Sequence, residues 1–389
     1  MLKRRLENIA KQLFNQFPVL TITGPRQSGK TVLVQQLFVD LPYYSLEDPD
    51  IRHFAVEDPR GFLNSIPDGG VIDEIQRVPE LVSYIQTIVD KKRKNGLFVL
   101  TGSSQFELHH AISQSLAGRT ALLQLLPFTL DEVYADRIPD METCLYNGLY
   151  PRIFDQSINP TVFLRAYTDT YLERDVRTLM EIRNRRKFDT FIRLCAGRTG
   201  QILNLTSLGN DCGISNKTAA EWISVLEASY LVVLLKPYHS NFNKRLIKAP
   251  KLYFLDVGLA AYLLGIDQAQ QIKSHPLRGA LFETLIISEF YKNIFNQGKT
   301  PTLYYFRDNT GNEIDLLLET NGQLIPIEIK SGATVNTHFF SGLKYMTKIA
   351  LLEPGSGILI YGGQQHHQRS SGLVVGYQKL AQLFIDLNR

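Results

Sequence analysis

The sequence predicts an α/β protein in three parts: a parallel sheet flanked by helices in the N-terminal third, a helical middle, and a mixed α/β C-terminal part. Three observations carry this. Apolar runs alternate with amphipathic stretches along the N-terminal third, a glycine-rich turn closes the first of those runs, and a strand, Asn-Gly, strand signature lies near the C-terminus.

The N-terminal alternation begins with Val19-Leu20-Thr21-Ile22-Thr23 and continues through an amphipathic stretch at 32–38, then Val71-Ile72, a second amphipathic stretch at 81–89 and Leu97-Phe98-Val99-Leu100. This reads as β-α-β-α-β. Such alternation favours a parallel sheet that binds ligands at the carboxyl ends of its strands.

Between the first strand and the first helix stands Gly24-Pro25-Arg26-Gln27-Ser28-Gly29-Lys30-Thr31. A Gly-x-x-x-x-Gly-Lys-Thr run in that context is the signature of a phosphate-binding loop, and the expected ligand is ATP with Mg²⁺. The glycines let backbone N–H groups turn inward around phosphates, and the following helix adds its positive end. Lys30 reaches the β and γ phosphates, and Thr31 coordinates Mg²⁺. All eight residues from Gly24 to Thr31 are therefore expected to bind ATP.

The remaining parts of an ATPase should lie at later strand ends. Gly70-Val71-Ile72-Asp73-Glu74 ends in an acidic pair. Asp73 is expected to hold the metal, and Glu74 to activate the attacking water. The next strand runs into Thr101-Gly102-Ser103-Ser104, which reads either as placing a hydroxyl, Ser103, where a γ-phosphate or its water is sensed, or as an ordinary polar strand end. Arg119, in Leu116-Ala117-Gly118-Arg119, has two readings: an arginine finger on the nucleotide of this or a neighbouring subunit, or a plain salt-bridge partner.

From about 160 to 265 the pattern turns helical. Residues 205–235 read as a helix, a turn at Cys212-Gly213-Ile214-Ser215, a second helix over 216–229 and a strand, which is the order of a winged helix-turn-helix. Asn216, Lys217 and Thr218 begin the second helix and are candidates for phosphate or base contact, whereas Trp222, Val225 and Leu226 have core spacing.

In the C-terminal part a helix over 279–295 precedes strands near 303–306, 313–319, 324–330 and 357–361. The strands Glu313-Ile314-Asp315-Leu316-Leu317-Leu318-Glu319 and Leu324-Ile325-Pro326-Ile327-Glu328-Ile329-Lys330 flank Asn321-Gly322, the favoured dipeptide of a two-residue hairpin turn. Counting outward from that turn sets Asp315 opposite Glu328, with Lys330 on the same face. Opposed carboxylates repel by about 0.2–1 kcal/mol unless something compensates, and a divalent cation would. Glu283 shares a helix face with Ile286, Ile287, Phe290 and Ile294, so it points inward toward the same acids, while Glu289 falls on another face. Glu283, Asp315 and Glu328 are thus candidate metal ligands, with Lys330 orienting or activating a water for phosphodiester attack. The competing reading makes Glu328 and Lys330 charges of an amphipathic strand, and Pro326 argues against a central strand.

Composition bounds the rest. At 389 residues the chain exceeds what one core serves. Hydrophobic residues at 44% and charged residues at 21% match a soluble protein, and no apolar run has the length of a membrane span. The charged start at Met1-Leu2-Lys3-Arg4-Arg5 leads to no signal-peptide core, so a cytoplasmic location without membrane association is expected. Cys144, Cys195 and Cys212 have no paired spacing and read as small packed residues. A net charge of +4 does not by itself imply nucleic acid. Lys91-Lys92-Arg93-Lys94, Arg183 with Arg185-Arg186-Lys187, and Lys244-Arg245 with Lys248 and Lys251 could each face phosphate, though such runs are more often solvated helix ends and loops.

Taken together, the residues resemble a prokaryotic family of AAA-type ATPases whose C-terminal region is a domain of unknown function with a PD-(D/E)XK, restriction-endonuclease-like core. The resemblance runs nearly end to end. Its marks are the phosphate loop, Val71-Ile72-Asp73-Glu74-Ile75-Gln76, Leu116-Ala117-Gly118-Arg119, Tyr171-Leu172-Glu173-Arg174-Asp175-Val176, Lys251-Leu252-Tyr253-Phe254-Leu255-Asp256-Val257-Gly258-Leu259 and Glu328-Ile329-Lys330. It implies an AAA-type ATPase domain with a small lid over 1–160, a winged-helix domain over 161–265 and a nuclease-like domain over 266–389. The nuclease motif would fall on Glu283, Asp315, Glu328 and Lys330. The sequence departs from the family at Gly148-Leu149-Tyr150-Pro151-Arg152, where a second glycine, and often an acid after the proline, is expected. The leading functional expectation is an ATPase that couples nucleotide state to engagement of DNA or another nucleic acid, with a Mg²⁺-dependent nuclease at its C-terminus. The alternative is an ATP-dependent signalling or protein-interaction switch whose nuclease-like domain is inert. Candidate partners are nucleic acid, a protein and further copies of the chain.

Overall fold

The computed structural model describes residues 2–103, 115–135, 137–171, 185–238 and 248–388. Ser104, the 172–176 part of the Tyr171 signature, Arg183, Lys244 and Arg245 lie outside the described residues.

The N-terminal part runs α1 (Glu7–Gln16), β1 (Val19–Gly24), α2 (Lys30–Leu37), β2 (Tyr43–Ser45), α3 (Pro49–Glu57), α4 (Pro59–Asn64), β3 (Gly70–Asp73), α5 (Leu81–Lys92), β4 (Phe98–Ser103) and β5 (Thr120–Gln124). The strands form one sheet in the order β2-β3-β4-β1-β5, parallel at every pairing. The expected β-α-β-α-β unit is there, with β2, α3 and α4 inserted between its first helix and second strand. Those two helices follow Asp48 and Asp58, whose carboxylates accept first-turn N–H groups, and each begins with proline, whose missing N–H costs nothing there. Period-two alternation in β1 sends Leu20 and Ile22 to one apolar layer, with Leu33, Val34 and Val99, and Val19 to the other, with Ile72, Phe98 and Ile85. Each such buried side chain contributes about 1.5–3 kcal/mol.

The chain continues as α6 (Leu130–Tyr134), α7 (Met141–Asn147), α8 (Pro151–Asp155), α9 (Pro160–Tyr167), α10 (Arg185–Gly197), β6 (Gln201–Ile202), α11 (Leu205–Cys212), α12 (Asn216–Ala228), β7 (Val232–Pro237), β8 (Lys251–Phe254) and α13 (Val257–Leu263). It ends with α14 (Arg278–Phe295), β9 (Leu303–Arg307), β10 (Glu313–Thr320), β11 (Gln323–Lys330), α15 (Ser341–Ile349), β12 (Ile358–Tyr361), β13 (His366–Arg369), β14 (Gly372–Gly376) and α16 (Leu380–Leu387). None of the described helices is long and apolar enough to cross a membrane.

The two helices expected on either side of the 212–215 turn are α11 and α12. Gly213, at φ 63°, closes α11, and the Ser215 side chain accepts the Thr218 N–H at the start of α12. Trp222 packs edge-on against Phe188 and Phe191 of α10, the core role its spacing implied. The following strand is not confined to that unit: β7 pairs antiparallel with β8 and parallel with β9, within a nine-stranded sheet ordered β13-β14-β12-β11-β10-β9-β7-β8-β6. One apolar core likewise runs from Leu126 to Phe384. Sheet and core therefore both cross position 265/266.

The hairpin follows the count made from its turn. Thr320 faces Gln323 and Leu316 faces Ile327, with Asn321 at φ 51° and Gly322 at φ 72°, the pair of left-handed residues that a type I′ turn requires. Pro326 is accommodated because β12 joins β11 only from Ile327 onward. Cys144, Cys195 and Cys212 are buried and unbridged.

Candidate functional site

The phosphate loop sits at the carboxyl end of β1 and is shaped by close backbone packing. A Cβ on Gly24 would lie 2.1 Å from the Leu125 carbonyl oxygen, and Gly29 takes φ 91° as the residue that opens α2. Gln27 also turns left-handed, at φ 62°. Lys30 is buried, and its ammonium donates to the carbonyls of Gly24 (2.9 Å) and Pro25 (2.8 Å), so it folds back across the loop. Burial, only partly offset by Glu74 and Asp73, lowers its pKa to about 8. Arg26 lies over the Tyr171 ring at 5.7 Å.

Sheet order brings the acids to this loop. β3 and β4 pair with each other and β4 pairs with β1, so Asp73, Ser103 and Gly24 end neighbouring strands. Asp73 accepts from the Thr31 hydroxyl at 2.8 Å, from the Tyr43 hydroxyl at 2.6 Å and from Thr101. A threonine hydroxyl against a carboxylate at the head of the loop is an oxygen donor set suited to Mg²⁺, so Thr31 and Asp73 would hold it. Glu74 leaves the strand in a left-handed turn, φ 58° and ψ 46°, which aims its carboxylate into the cleft. Burial raises its pKa, against the pull of Lys30. Gln76 donates to Glu74 and, at 3.0 Å, to the buried Ser103 hydroxyl, tying the expected water-activating and phosphate-sensing groups together.

The cleft has a volume of ≈ 420 Å³ and is walled by Lys30, Thr31 and Glu74 on one side and by Pro151, Arg152 and Gln156 on the other. Arg152 is exposed and bonds Gln156 at 3.0 Å. Behind the loop, Arg4 is 7% exposed and donates to the carbonyls of Ser28 (3.3 Å) and Leu126 (2.6 Å), with its guanidinium over Phe128. Gln76, Thr101, Tyr43, Arg152 and Arg4 were not singled out from sequence. Gln76 carried a signal through its place after the acidic pair, Thr101 through the polar strand end it opens, and Arg152 through the segment that departs from the family.

Arg119 lies at the far end of the sheet from this chain's own phosphate loop. Its carbonyl accepts from Val19 N–H at the amino end of β1, the end of the sheet opposite the loop. Its guanidinium makes a bidentate pair with Asp90 of α5 at 2.5 and 2.9 Å. It precedes its strand instead of following one, and within this chain its partner is Asp90. The basic run nearby closes α5, with Arg93 as a left-handed cap.

In the C-terminal sheet the geometry brings Asp315, Glu328 and Lys330 together, as counted. Lys330 bonds Asp315 at 2.8 Å and Glu328 at 2.5 Å. Burial and the Asp315 charge raise Glu328 to about 8, against Lys330. For Asp315, burial acts upward, but Lys330 and Lys251 outweigh it and hold the carboxyl low. Glu283 faces the same group, and the Asp315 charge acts on it. It bonds Lys251 at 3.2 Å and the Tyr253 hydroxyl, and Lys251 in turn bonds Glu313 at 2.5 Å. A buried lysine from β8 therefore lies between Glu283 and Glu313, beside the Asp315, Glu328 and Lys330 group. Among the described residues no three His, Cys, Asp or Glu side chains converge to hold a metal. Gly342 of α15 closes the cluster from above, since a Cβ there would lie 1.9 Å from Glu328 Oε1. Glu289 lies on the other face of α14, accepting from Leu130 N–H at 3.0 Å.

Residues 16–134 match the family described as AAA domain, residues 138–270 a domain of unknown function (DUF8612), and residues 278–380 a second one (DUF4143). The chain is similar to an uncharacterized protein of Mycobacterium tuberculosis, 29% identical over 358 residues that cover 89% of this chain and 78% of the relative. It is also similar to an uncharacterized protein of Methanocaldococcus jannaschii, 22% identical over 345 residues, covering 79% of this chain and 74% of that one. A solved structure, the Walker-type ATPase of Pyrococcus abyssi, aligns at 15% identity with a TM-score of 0.46, over 68% of this chain and 96% of that chain. The AAA-domain match over residues 16–134 thus takes in the phosphate loop and the strands that end beside it.

Proposed function

We propose that this chain, whose residues 16–134 match the AAA domain, hydrolyses ATP and acts as a nucleotide-driven switch. The observation that carries the reading is the convergence of Lys30, Thr31, Asp73, Glu74 and Ser103 at adjoining strand ends, with Gln76 joining the last two. Lys30 binds the β and γ phosphates, Glu74 takes the proton of the attacking water, and Ser103 with Gln76 orients that water or the γ-phosphate. A bound Mg²⁺ supplies charge neutralisation at the phosphates, and Thr31 and Asp73 are the residues that hold it. Phosphate release by the purified chain with ATP and Mg²⁺ tests this: Lys30→Ala abolishes turnover, and equal turnover in that variant sinks the reading.

The C-terminal cluster favours the switch over the nuclease. Lys251 and Lys330 already bond the carboxylates that would ligate a metal, and Gly342 closes over Glu328. The nuclease reading keeps one supporting observation, the hairpin register that sets Asp315, Glu328 and Lys330 on one face. Cleavage of DNA or RNA in Mg²⁺ or Mn²⁺ by the wild type, lost in Asp315→Ala, would reinstate it. Affinity for nucleic acid that falls with added salt would restore nucleic acid as the partner; without it the partner is a protein.

A further inference from the structure

β8 links two regions that the sequence leaves unrelated. Lys251, its first residue, is the buried ammonium between Glu283 and Glu313. Asp256, two residues past its end, is 2% exposed. One Asp256 oxygen accepts from Leu149 N–H at 2.8 Å, and the other caps α13 through Leu259 N–H at 2.9 Å. Leu149 belongs to the short strap 148–152, which ends in the two cleft-lining residues Pro151 and Arg152.

The contact between strap and α13 is backbone against backbone. A Cβ on Gly148 would lie 2.4 Å from Asp256 Oδ1, and a Cβ on Gly258 would lie 2.6 Å from the Gly148 backbone. Gly148 also takes φ 59°, which a residue with a side chain adopts at a cost. β8 itself is buried at every position and hydrogen-bonded on both edges, to β7 and to β6. The strand runs extended from Lys251 to Phe254, about 10 Å, and bends at Leu255 before Asp256. A displacement of the strap thus meets a strand that cannot easily bend.

We infer that Asp256 is a positioning residue for the nucleotide site: it hangs the 148–152 strap over the phosphate loop, and β8 carries the strap's position to the Lys251 cluster. This rests on the ATP-binding reading above and gives the switch its internal linkage. Arg152 is the strap's contact group for the nucleotide, and Asp256 acts only through it.

The test uses the full chain, a fluorescent ATP analogue and steady-state turnover, with backbone hydrogen exchange measured with and without a non-hydrolysable ATP analogue. Asp256→Asn keeps the shape but leaves one oxygen for two N–H donors, so one of the two bonds is lost and the other loses its charge. It should raise KM for ATP about tenfold, the factor of one charge-assisted bond, with kcat within about twofold. Nucleotide should protect the strap and β8 in the wild type, and β8 should lose that protection in Asp256→Asn. A residue needed only for folding would not move this readout selectively. Arg152→Ala, at an exposed position, should raise KM similarly without lowering the melting temperature, and keeps the test valid if Asp256→Asn misfolds. Wild-type KM in both variants, or no nucleotide-dependent protection of β8 in the wild type, overturns the inference. Failure of the wild type to bind the analogue at all overturns the ATP reading itself, a distinct result.

Discussion

Replacing Glu74 by glutamine separates chemistry from binding and folding. The side chain keeps its length and the left-handed backbone at φ 58° is available to glutamine. Gln76 donates to the Glu74 carboxylate, and the new amide can turn its oxygen to that donor. Burial raises the Glu74 pKa, so removing the charge relieves a desolvation cost and the fold should lose no stability. Lys30 donates to Gly24 and Pro25 carbonyls, so the loop that grips the phosphates is not dismantled. What disappears is the group that takes the proton from water. General-base catalysis contributes about 10²–10⁴-fold, equivalent to about 2.7–5.4 kcal/mol of barrier. Phosphate release should therefore fall by that factor, while ATP affinity, read with a fluorescent analogue, stays within about threefold. Turnover near the wild-type rate would refute the role of Glu74. Loss of ATP binding would refute the division of labour between Glu74 and Lys30.

Burial lowers Lys30 to about 8 in the free protein, and bound phosphates raise it again. The bound-state pKa is the higher one, so ATP affinity should be level below pH about 8 and fall as pH rises through it, by up to about tenfold per unit; a flat titration between about pH 7 and 9 contradicts this. Arg119→Ala breaks an exposed pair with Asp90 at the far end of the sheet, so turnover per chain should be unchanged, whereas a concentration-dependent loss would make it a finger acting on a neighbouring subunit. Lys251→Met leaves Glu283 and Glu313 without their buried cation and should cost about 3–5 kcal/mol in urea unfolding, partly recovered when Glu283→Gln is added. Equal stability of the Lys251→Met variant would mean that the lysine is not the counter-ion of the cluster.

The candidate nucleotide site was largely legible in the sequence because its parts are local. Gly24 to Thr31 are contiguous, and Asp73, Glu74 and Ser103 each end an apolar run, so strand order alone brings them together. The hairpin register was equally legible, since Asn321 and Gly322 fix the turn and side-chain alternation then fixes every pair. What stayed hidden depends on pairings between distant segments. Arg4 reaches the Ser28 carbonyl, and Asp256 reaches the Leu149 N–H, across separations that carry no periodic signal. The basic character of Lys251 pointed outward to phosphate, yet its place in a fully buried strand turns it inward to Glu283 and Glu313. Arg152 stood where the family pattern was broken, and the fold carries it to the cleft. The parallel pairing of β7 with β9 joins the middle of the chain to the C-terminal sheet, and neither strand's sequence specifies its partner.

The central claim is that Lys30, Thr31, Asp73 and Glu74 form a working ATP site. The most direct measurement is binding of a fluorescent ATP analogue to the wild type and to Lys30→Ala, followed by phosphate release with Mg²⁺ from both. Saturable binding and turnover in the wild type, both lost in Lys30→Ala, is the predicted result. A wild-type chain that neither binds nor hydrolyses ATP, or a Lys30→Ala variant that does both as well, contradicts it.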